Sequence, residues 1–343
     1  MIRVLVVDDS EVTRRLLASL LGRDAGLEVV GEASSGDQAI RLAERLRPDV
    51  ITMDVQMPGM DGLEATRRIM RQHPAPIVVV SGGLDPSDLT QSVRALDAGA
   101  LAALRKPPGP ADPGFAADAA ELVRTVKLMA EVRVFRRQTA PGDRGLAGPE
   151  ANGAHPGARP GVELVAVGAS TGGPAALATI LRALPAAVPV PILVVQHISP
   201  GFDAALAAWL DETTPLPVHL AADGQPLAPG EVLVAPAGTH LALAGRGRVA
   251  LVAGPPTGGH RPSATELFAS LARVLGPRGL GVILTGMGAD GAAGLAELRR
   301  AGGRVLAQDE ASCVVPGMPA AAAAAGAVDE VVPLDRMAAR IAA

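Results

Sequence analysis

Four times in its first 100 residues the chain repeats one pattern, a short apolar run, a polar stretch, then apolar residues at helical spacing, and a fifth apolar run follows at 101–104. Ile2-Arg3-Val4-Leu5-Val6-Val7 is almost continuously apolar, which suits a strand buried on both faces in a parallel sheet. Ser10 is a fair N-cap, and Val12, Leu16, Leu17, Leu20 and Leu21 follow at helical spacing before Gly22. Further strands are expected near 29–33, 50–53, 77–80 and 101–104, separated by helices near 36–47, 62–72 and 86–96. Such alternation predicts a five-stranded parallel α/β domain with right-handed crossovers.

Ligands of these sheets bind beyond the carboxyl ends of the strands. Asp8 and Asp9 follow the first strand, Asp54 the third, Ser81 the fourth and Lys106 the fifth. Carboxylates crowded into one mouth repel one another unless a hard cation neutralises them, and oxygen ligands with open water positions suit Mg²⁺. An Asp beside Mg²⁺ can attack a phosphoryl donor, with a hydroxyl and an ammonium holding the transferred group. Lys106 and Lys127 are the only lysines in an arginine-rich chain, so a compact point charge is wanted at Lys106. Val7-Asp8-Asp9-Ser10, Asp54-Val55-Gln56-Met57-Pro58-Gly59-Met60-Asp61-Gly62 and Lys106-Pro107 together resemble a two-component response-regulator receiver domain, which is flavodoxin-like. The resemblance implies phosphorylation of Asp54 by a histidine kinase. It further implies Mg²⁺ on Asp9, Asp54 and the Gln56 carbonyl, with Asp8 acting through water, Ser81 and Lys106 on the phosphoryl group, and a cis Lys106–Pro107 peptide.

Beyond Lys106 a charged helical run extends from about Ala116 to Gln138, and 139–161 is Gly, Pro and Ala with scattered charge, a linker composition. The apolar run Val165-Ala166-Val167 then enters Gly168-Ala169-Ser170-Thr171-Gly172-Gly173-Pro174. Glycines there let the backbone turn sharply and push Ser170 out at the end of a strand, and Pro174 suits the first turn of a helix. On these residues alone the turn is either a nucleophile elbow or a phosphate-cradling or merely tight turn. Two more apolar strands end in Gln196-His197 and in Leu284-Thr285-Gly286-Met287-Gly288-Ala289-Asp290-Gly291. A parallel sheet would gather Ser170, His197 and Asp290 at one edge as nucleophile, base and orienting acid. His240–Ala244 and Val249–Val252 flank a Gly-Arg-Gly-Arg turn as an antiparallel hairpin, so a mixed sheet is expected.

Of six histidines, His73 ends a helix, His155 lies in the linker, and His219 and His240 sit in or beside short strands. His260 opens a polar loop, Gly259–Ser263, which is expected to line the same mouth, and His197 is the best-placed base. A rival reading is dinucleotide binding. Gly286-x-Gly288-x-x-Gly291 lies between a strand and a helix, with Asp309 18 residues on. Against it, Asp290 would aim a carboxylate at the pyrophosphate.

A net charge of −4 offers no basic face for nucleic acid. The chain lacks a stretch of about 18 uncharged apolar residues, so no membrane insertion is expected, and early acids exclude a signal peptide's apolar core. The protein is expected to be cytoplasmic and monomeric. Cys313, the single cysteine, reads as a small buried side chain. Aromatics are 1% of the chain, so the core is aliphatic.

The second half resembles the catalytic domain of chemotaxis protein-glutamate methylesterases, through the Ser170 turn, Gln196-His197, His260-Arg261-Pro262-Ser263, the Leu284–Gly291 run and Ala307-Gln308-Asp309-Glu310-Ala311-Ser312. The order receiver (1–121), linker (122–161) and esterase (162–343) matches that family. The resemblance implies demethylation of chemoreceptor glutamate esters and deamidation of certain receptor glutamines, with no cofactor for the ester reaction. Backbone groups near Thr171 and Met287 would supply the oxyanion hole. Arg261 would attract an acidic receptor flank or form a structural salt bridge. Two departures stand out. The usual aromatic after Ser312-x-Val is absent, since Val314-Val315 leads into Pro316-Gly317, which predicts a reshaped cleft wall, and Ala103 stands where receivers commonly carry an aromatic.

Overall fold

The computed structural model describes residues 1–82, 86–132, 161–186 and 188–343. In the first domain β1 (Ile2–Val7), α1 (Glu11–Gly22), β2 (Leu27–Ala33), α2 (Gly36–Leu46), β3 (Val50–Met53), α3 (Gly62–Gln72), β4 (Ile77–Ser81), α4 (Pro86–Asp97), β5 (Ala102–Arg105) and α5 (Phe115–Ala130) follow one another. The strands pair in parallel in the order β2-β1-β3-β4-β5. The last four residues of β1 and all of β3 and β4 are buried, as expected of strands covered on both faces. Ser10, Ser35 and Asp61 cap α1, α2 and α3 by accepting amide hydrogen bonds, which ends each strand-to-helix loop at a defined residue. Val12 departs from expectation. It falls at helical spacing, yet it is 80% exposed: burial in α1 is confined to Leu17, Leu20 and Leu21, and the first turn stays in solvent.

α5 is one helix through residue 121, where the domain limit was expected, and it buries Leu122, Val126 and Met129 against the receiver sheet. The remainder of the expected linker, with His155, falls mostly on residues outside those described.

The second domain runs β6 (Leu164–Ala169), α6 (Gly173–Ala183), β7 (Ile192–Gln196), α7 (Phe202–Thr213), β8 (Val218–Leu220), β9 (Val232–Val234), β10 (His240–Leu243), β11 (Val249–Val252), α8 (Ala264–Val274), β12 (Gly279–Ile283), α9 (Ala292–Arg300), β13 (Arg304–Gln308), α10 (Gly317–Ala324), β14 (Glu330–Val332) and α11 (Leu334–Ala342). Seven strands form a sheet ordered β14-β13-β12-β6-β7-β9-β8, parallel throughout. The hairpin β10–β11 pairs only with itself, so the expected mixed sheet resolves into a parallel sheet and a separate two-stranded one. Although aromatics are scarce, Trp209, Phe202 and Phe268 are the largest fully buried side chains.

The domains meet where α4 packs on α6 and α7. A single apolar cluster extends from Leu96 and Ala103 to Ala176 and Ile180. Arg94 pairs with Glu212 at 3.1 Å and Arg182 with Asp97 at 3.7 Å. Exposed pairs contribute about 0–1 kcal/mol each, so the apolar contact holds the domains together. No helix among the described residues is long and apolar enough to cross a membrane.

Candidate active site

β6 lies between β7 and β12, so the loops after these three strands leave the sheet side by side. Ser170 N donates to Thr285 O (3.0 Å), and His197 N donates to Ala169 O (2.9 Å), which lock the turns together at their first residues. Gly172 adopts φ +78°, and a Cβ there would stand 2.6 Å from Val314 Cγ2, so both conformation and space require glycine. Val314, just before the point where the family usually carries an aromatic, thus lies against the nucleophile turn. Met287, Val314 and Val315 also pack on the apolar cluster of the receiver.

Asp290 is the most heavily bonded side chain of the site. Its Oδ2 accepts from His197 Nε2 (2.8 Å) and Ala264 N (2.7 Å), and its Oδ1 from Ser263 Oγ (2.7 Å), Gly291 N (2.9 Å) and Thr265 N (3.1 Å). Two of these donors are the first amides of α8, where the helix dipole favours an anion. Burial alone would raise the Asp290 pKa, but the hydrogen bonds from His197, Ser263 and Thr265 outweigh it and hold the carboxyl far below its usual range. Ser263 in turn receives the remaining order of the loop: its amide donates to His240 Nδ1 (3.2 Å), and His240 Nε2 donates to Pro255 O (3.0 Å).

The tautomer follows. With Nε2–H spent on Asp290, the lone pair of His197 is on Nδ1, which is buried and has no hydrogen-bond partner. The serine-protease template uses the two nitrogens the other way round. Ser170 does not yet bond to Nδ1, a gap common before substrate binds. Gln196, beneath both, donates through Nε2 to Ser170 O and His197 O, each at 2.8 Å, and so fixes the spacing of their backbones. The amides of Thr171 and Met287 donate to no other described group, while Thr285 Oγ1 donates to Thr171 O (2.9 Å) and accepts from Val315 N (2.9 Å), tying the two loops into one frame. Sequence reasoning quoted Ser263 and Gln196 only within motifs. Their roles needed the fold, although a serine just after a proline and before an apolar helix was a legible N-cap.

Arg261 is exposed, and its guanidinium donates to Gly254 O (2.7 Å); among the described residues it forms no salt bridge. The cis peptide lies at Arg261–Pro262, and Lys106–Pro107 is trans, the form an X–Pro bond takes unless its surroundings select the other. Cys313 is half-buried instead of buried; burial and the Asp309 charge push its thiol up to about 12, which makes it a poor nucleophile. The dinucleotide pattern is also accounted for. The Gly291 amide at the start of α9 is taken by Asp290 and by Thr265 Oγ1 (2.8 Å), and Asp309 bonds Ser312, so neither end of the pattern is free for a nucleotide.

The cleft over Ser170, about 310 Å³, is walled on one side by the receiver. Ala103 of β5 and Glu121, Arg124 and Met129 of α5 line it opposite His197 and His260, and Ser199 Oγ donates to Glu121 at 3.4 Å.

At the mouth of the receiver sheet, carboxylate oxygens of Asp8, Asp9 and Asp54 lie within 4.8 Å of one another. Lys106 Nζ reaches Asp54 Oδ2 (2.7 Å) and Asp8 Oδ2 (2.8 Å). Burial raises the Asp54 pKa against the pull of Lys106. Burial pulls Lys106 down, but its bonds to Asp54 and Asp8 outweigh that and raise it. One ammonium cannot neutralise three carboxylates, so these hard oxygen donors, with Asp9 exposed to water, fit Mg²⁺. Ser81 is buried at the end of β4, and Gly83 beyond it lies outside the described residues. Lys127, the other lysine, pairs with Asp24 at 2.7 Å.

A three-carboxylate mouth on one parallel sheet and a serine, a histidine and an aspartate at the edge of another define the class: a response-regulator receiver joined to a hydrolase domain built on a parallel sheet. The family model described as CheB methylesterase matches residues 165–341, and that of the response regulator receiver domain matches 4–112. The chain belongs to the CheB methylesterase family. A protein-glutamate methylesterase/protein-glutamine glutaminase of Myxococcus xanthus is 53% identical over 343 residues, covering 99% of this chain and 96% of that protein. One of the same description from Anaeromyxobacter dehalogenans is 53% identical over 346 residues, covering 100% and 98%. The crystal structure of the Thermotoga maritima CheB methylesterase catalytic domain is 38% identical, with a TM-score of 0.51, over 53% of this chain and 97% of that one.

Proposed function

We propose that the enzyme hydrolyses glutamate methyl esters on chemoreceptors, and deamidates certain receptor glutamines, in the cytoplasm and as a monomer, through Ser170, His197 and Asp290. The observation that carries this is the buried, unpartnered Nδ1 of His197, whose other nitrogen is bonded to Asp290. His197 Nδ1 takes the Ser170 proton as Oγ attacks the ester carbonyl, and Asp290 stabilises the imidazolium. The tetrahedral oxyanion is held by the amides of Thr171 and Met287 near the N-terminus of α6. Collapse of the intermediate breaks the C–O bond, and methanol leaves with the proton from Nδ1. Water then gives up a proton to Nδ1 as it attacks the acyl-enzyme, and Ser170 is regenerated with the free glutamate. The exposed Arg261 faces the acidic flank of the receptor helix. Methanol release from methylated receptor membranes tests the reading, and a wild-type protein that releases none would overturn it.

The receiver reading rests on the Asp8–Asp9–Asp54 cluster. A histidine kinase donates a phosphoryl group to Asp54; Asp9, Asp54 and the Gln56 carbonyl would hold Mg²⁺, with Asp8 acting through water, and Ser81 and Lys106 would receive the phosphoryl oxygens. When bound, the ion supplies charge neutralisation to the transferring group. Labelling by a radioactive acyl phosphate is expected with Mg²⁺ and not with a chelator, and Asp54→Asn removes it. An acid-stable label persisting in Asp54→Asn would move the acceptor elsewhere.

Because α5 and β5 wall the Ser170 cleft on one side, the domain division has a functional sense: the segment through α5 is an inhibitory cover and 162–343 is the esterase. Deleting residues 1–160 should raise methanol release several-fold. The missing aromatic enters here. Ala103 is buried beside the cleft, and its methyl has no rotamer to couple Ser81 to the interface. A ligand shifts a two-state equilibrium only by its differential interaction with the states. Beryllofluoride should therefore activate the wild type less than an Ala103→Phe variant. Equal activation would remove the role assigned to Ala103, and an unchanged rate on deletion would remove the cover.

A further inference from the structure

Outside the three residues placed in the chemistry, one side chain touches the base across its whole face. His260 lies parallel to His197, with ring centroids 3.9 Å apart and planes 1° from parallel. Its backbone is pinned by paired hydrogen bonds with Thr257, at 3.0 and 3.1 Å, immediately before Pro262 and the α8 cap. Neither of its ring nitrogens makes a hydrogen bond to a described group, so it is not held there by polar partners. What it offers the site is its flat face.

We propose that His260 is a positioning residue that clamps the imidazole of His197 by stacking and stabilises the imidazolium formed during ester cleavage. This rests on the triad reading and deepens it.

The physical case has three parts. A stacked ring stops His197 from tilting about its bond to Asp290, so Nδ1 stays aimed at Ser170, and small losses of aim cost rate steeply. The π-face of a neutral imidazole attracts a cation more than a neutral ring, so the contact strengthens as His197 takes its proton and acts on the barrier and not on binding. Finally, the two rings cannot readily both be charged at this separation. The groups facing His260 decide which one is. His197 bonds Asp290 directly, whereas His260 has His197 below it, Arg124 of α5 across the cleft and Arg261 next in sequence. Burial, then the neighbouring His197 charge, then Arg124 all lower the His260 pKa, and only Asp290 opposes them. His260 is therefore the ring that stays neutral beside His197.

The test compares His260→Ala, which removes the face, with His260→Phe, which keeps a flat uncharged face and has no proton to give. In methanol release, His260→Ala should lower kcat by about tenfold with KM little changed, in line with one desolvated cation–π contact. His260→Phe should restore most of that rate and leave the acid limb of the pH profile a single-proton step at the same midpoint. In NMR spectra of the intact protein, the His197 ring proton, assigned by its loss in His197→Gln, should be shifted upfield, with the shift lost in His260→Ala and kept in His260→Phe. If His260→Phe is as slow as His260→Ala, a nitrogen is required and the clamp is wrong. Wild-type rate in His260→Ala, or no ring-current shift in the wild type, overturns it equally. The shift does not depend on turnover, so if the Ser170 reading fails by activity, the clamp is still judged on its own.

Discussion

Ser170→Ala is expected to reduce methanol release from methylated receptor membranes by about 10⁴- to 10⁶-fold, with residual activity limited to what binding and oxyanion stabilisation supply without a nucleophile. The loss should be in kcat, since the hydroxyl is consumed in the reaction and its removal leaves the cleft wall in place. Ser170 is half-buried, and its hydroxyl makes no hydrogen bond to any described group, so alanine strands no buried partner. Stability should accordingly change by no more than about 0.5 kcal/mol. Rapid mixing adds a second criterion: an acyl-enzyme mechanism permits a methanol burst in the wild type, and the variant has no group to form it. Methanol release within tenfold of wild type in a folded Ser170→Ala protein would end the assignment of the nucleophile.

Asp290→Asn should cost about 10⁴-fold in kcat, because it reverses the tautomer and not merely a charge. Aspartate presents acceptors to five donors. Asparagine must turn an NH₂ group toward one side. If that side is Oδ1, it meets Ser263 Oγ and the amides of Thr265 and Gly291; if it is Oδ2, it meets Ala264 N and the ring. The first choice strands more donors, so the NH₂ group faces His197, whose Nε2 must then accept and whose proton moves to Nδ1. The nitrogen that should receive the Ser170 proton is then already protonated. The leftover Ala264 amide, buried against a donor, should also lower stability by about 1–3 kcal/mol. Thermal melting and rate should therefore be measured together, below the variant's transition. A rate within tenfold of wild type would mean that Asp290 anchors the loop without setting the tautomer.

Much of the site was legible because strand ends are legible. Asp8, Asp54, Ser81 and Lys106 each follow an apolar run, and in a parallel sheet the residue after the run must emerge at one edge. The same reasoning puts Ser170 and His197 on neighbouring turns. It says less about Asp290, which stands seven residues past Ile283 in a glycine-rich loop. Nothing local shows where that carboxylate turns; its direction is set by the amides of α8, a helix that begins 26 residues earlier. Val12 was misplaced because periodicity gives the apolar face of a helix but not which of its turns the rest of the chain covers. Arg261 offered two partners in sequence and took a third, the Gly254 carbonyl, since a backbone acceptor leaves no trace in side-chain identity.

By itself, then, the order of residues determined the receiver's parallel sheet, the strands that carry Ser170 and His197, the chemical types gathered at their carboxyl edges and the family, while the separation of the hairpin β10–β11 from the second sheet came from the structure. These depend on patterns a few residues long: continuous apolar runs, helical spacing, caps and glycine turns. Only the tertiary structure decided which nitrogen of His197 is free, that His260 covers that ring, and that α5 with Ala103 walls the cleft on one side. Each of these is a contact between segments tens of residues or a whole domain apart. Their geometry is fixed by how helices and sheets pack and by which buried donors must find acceptors, and those are properties of the assembled chain.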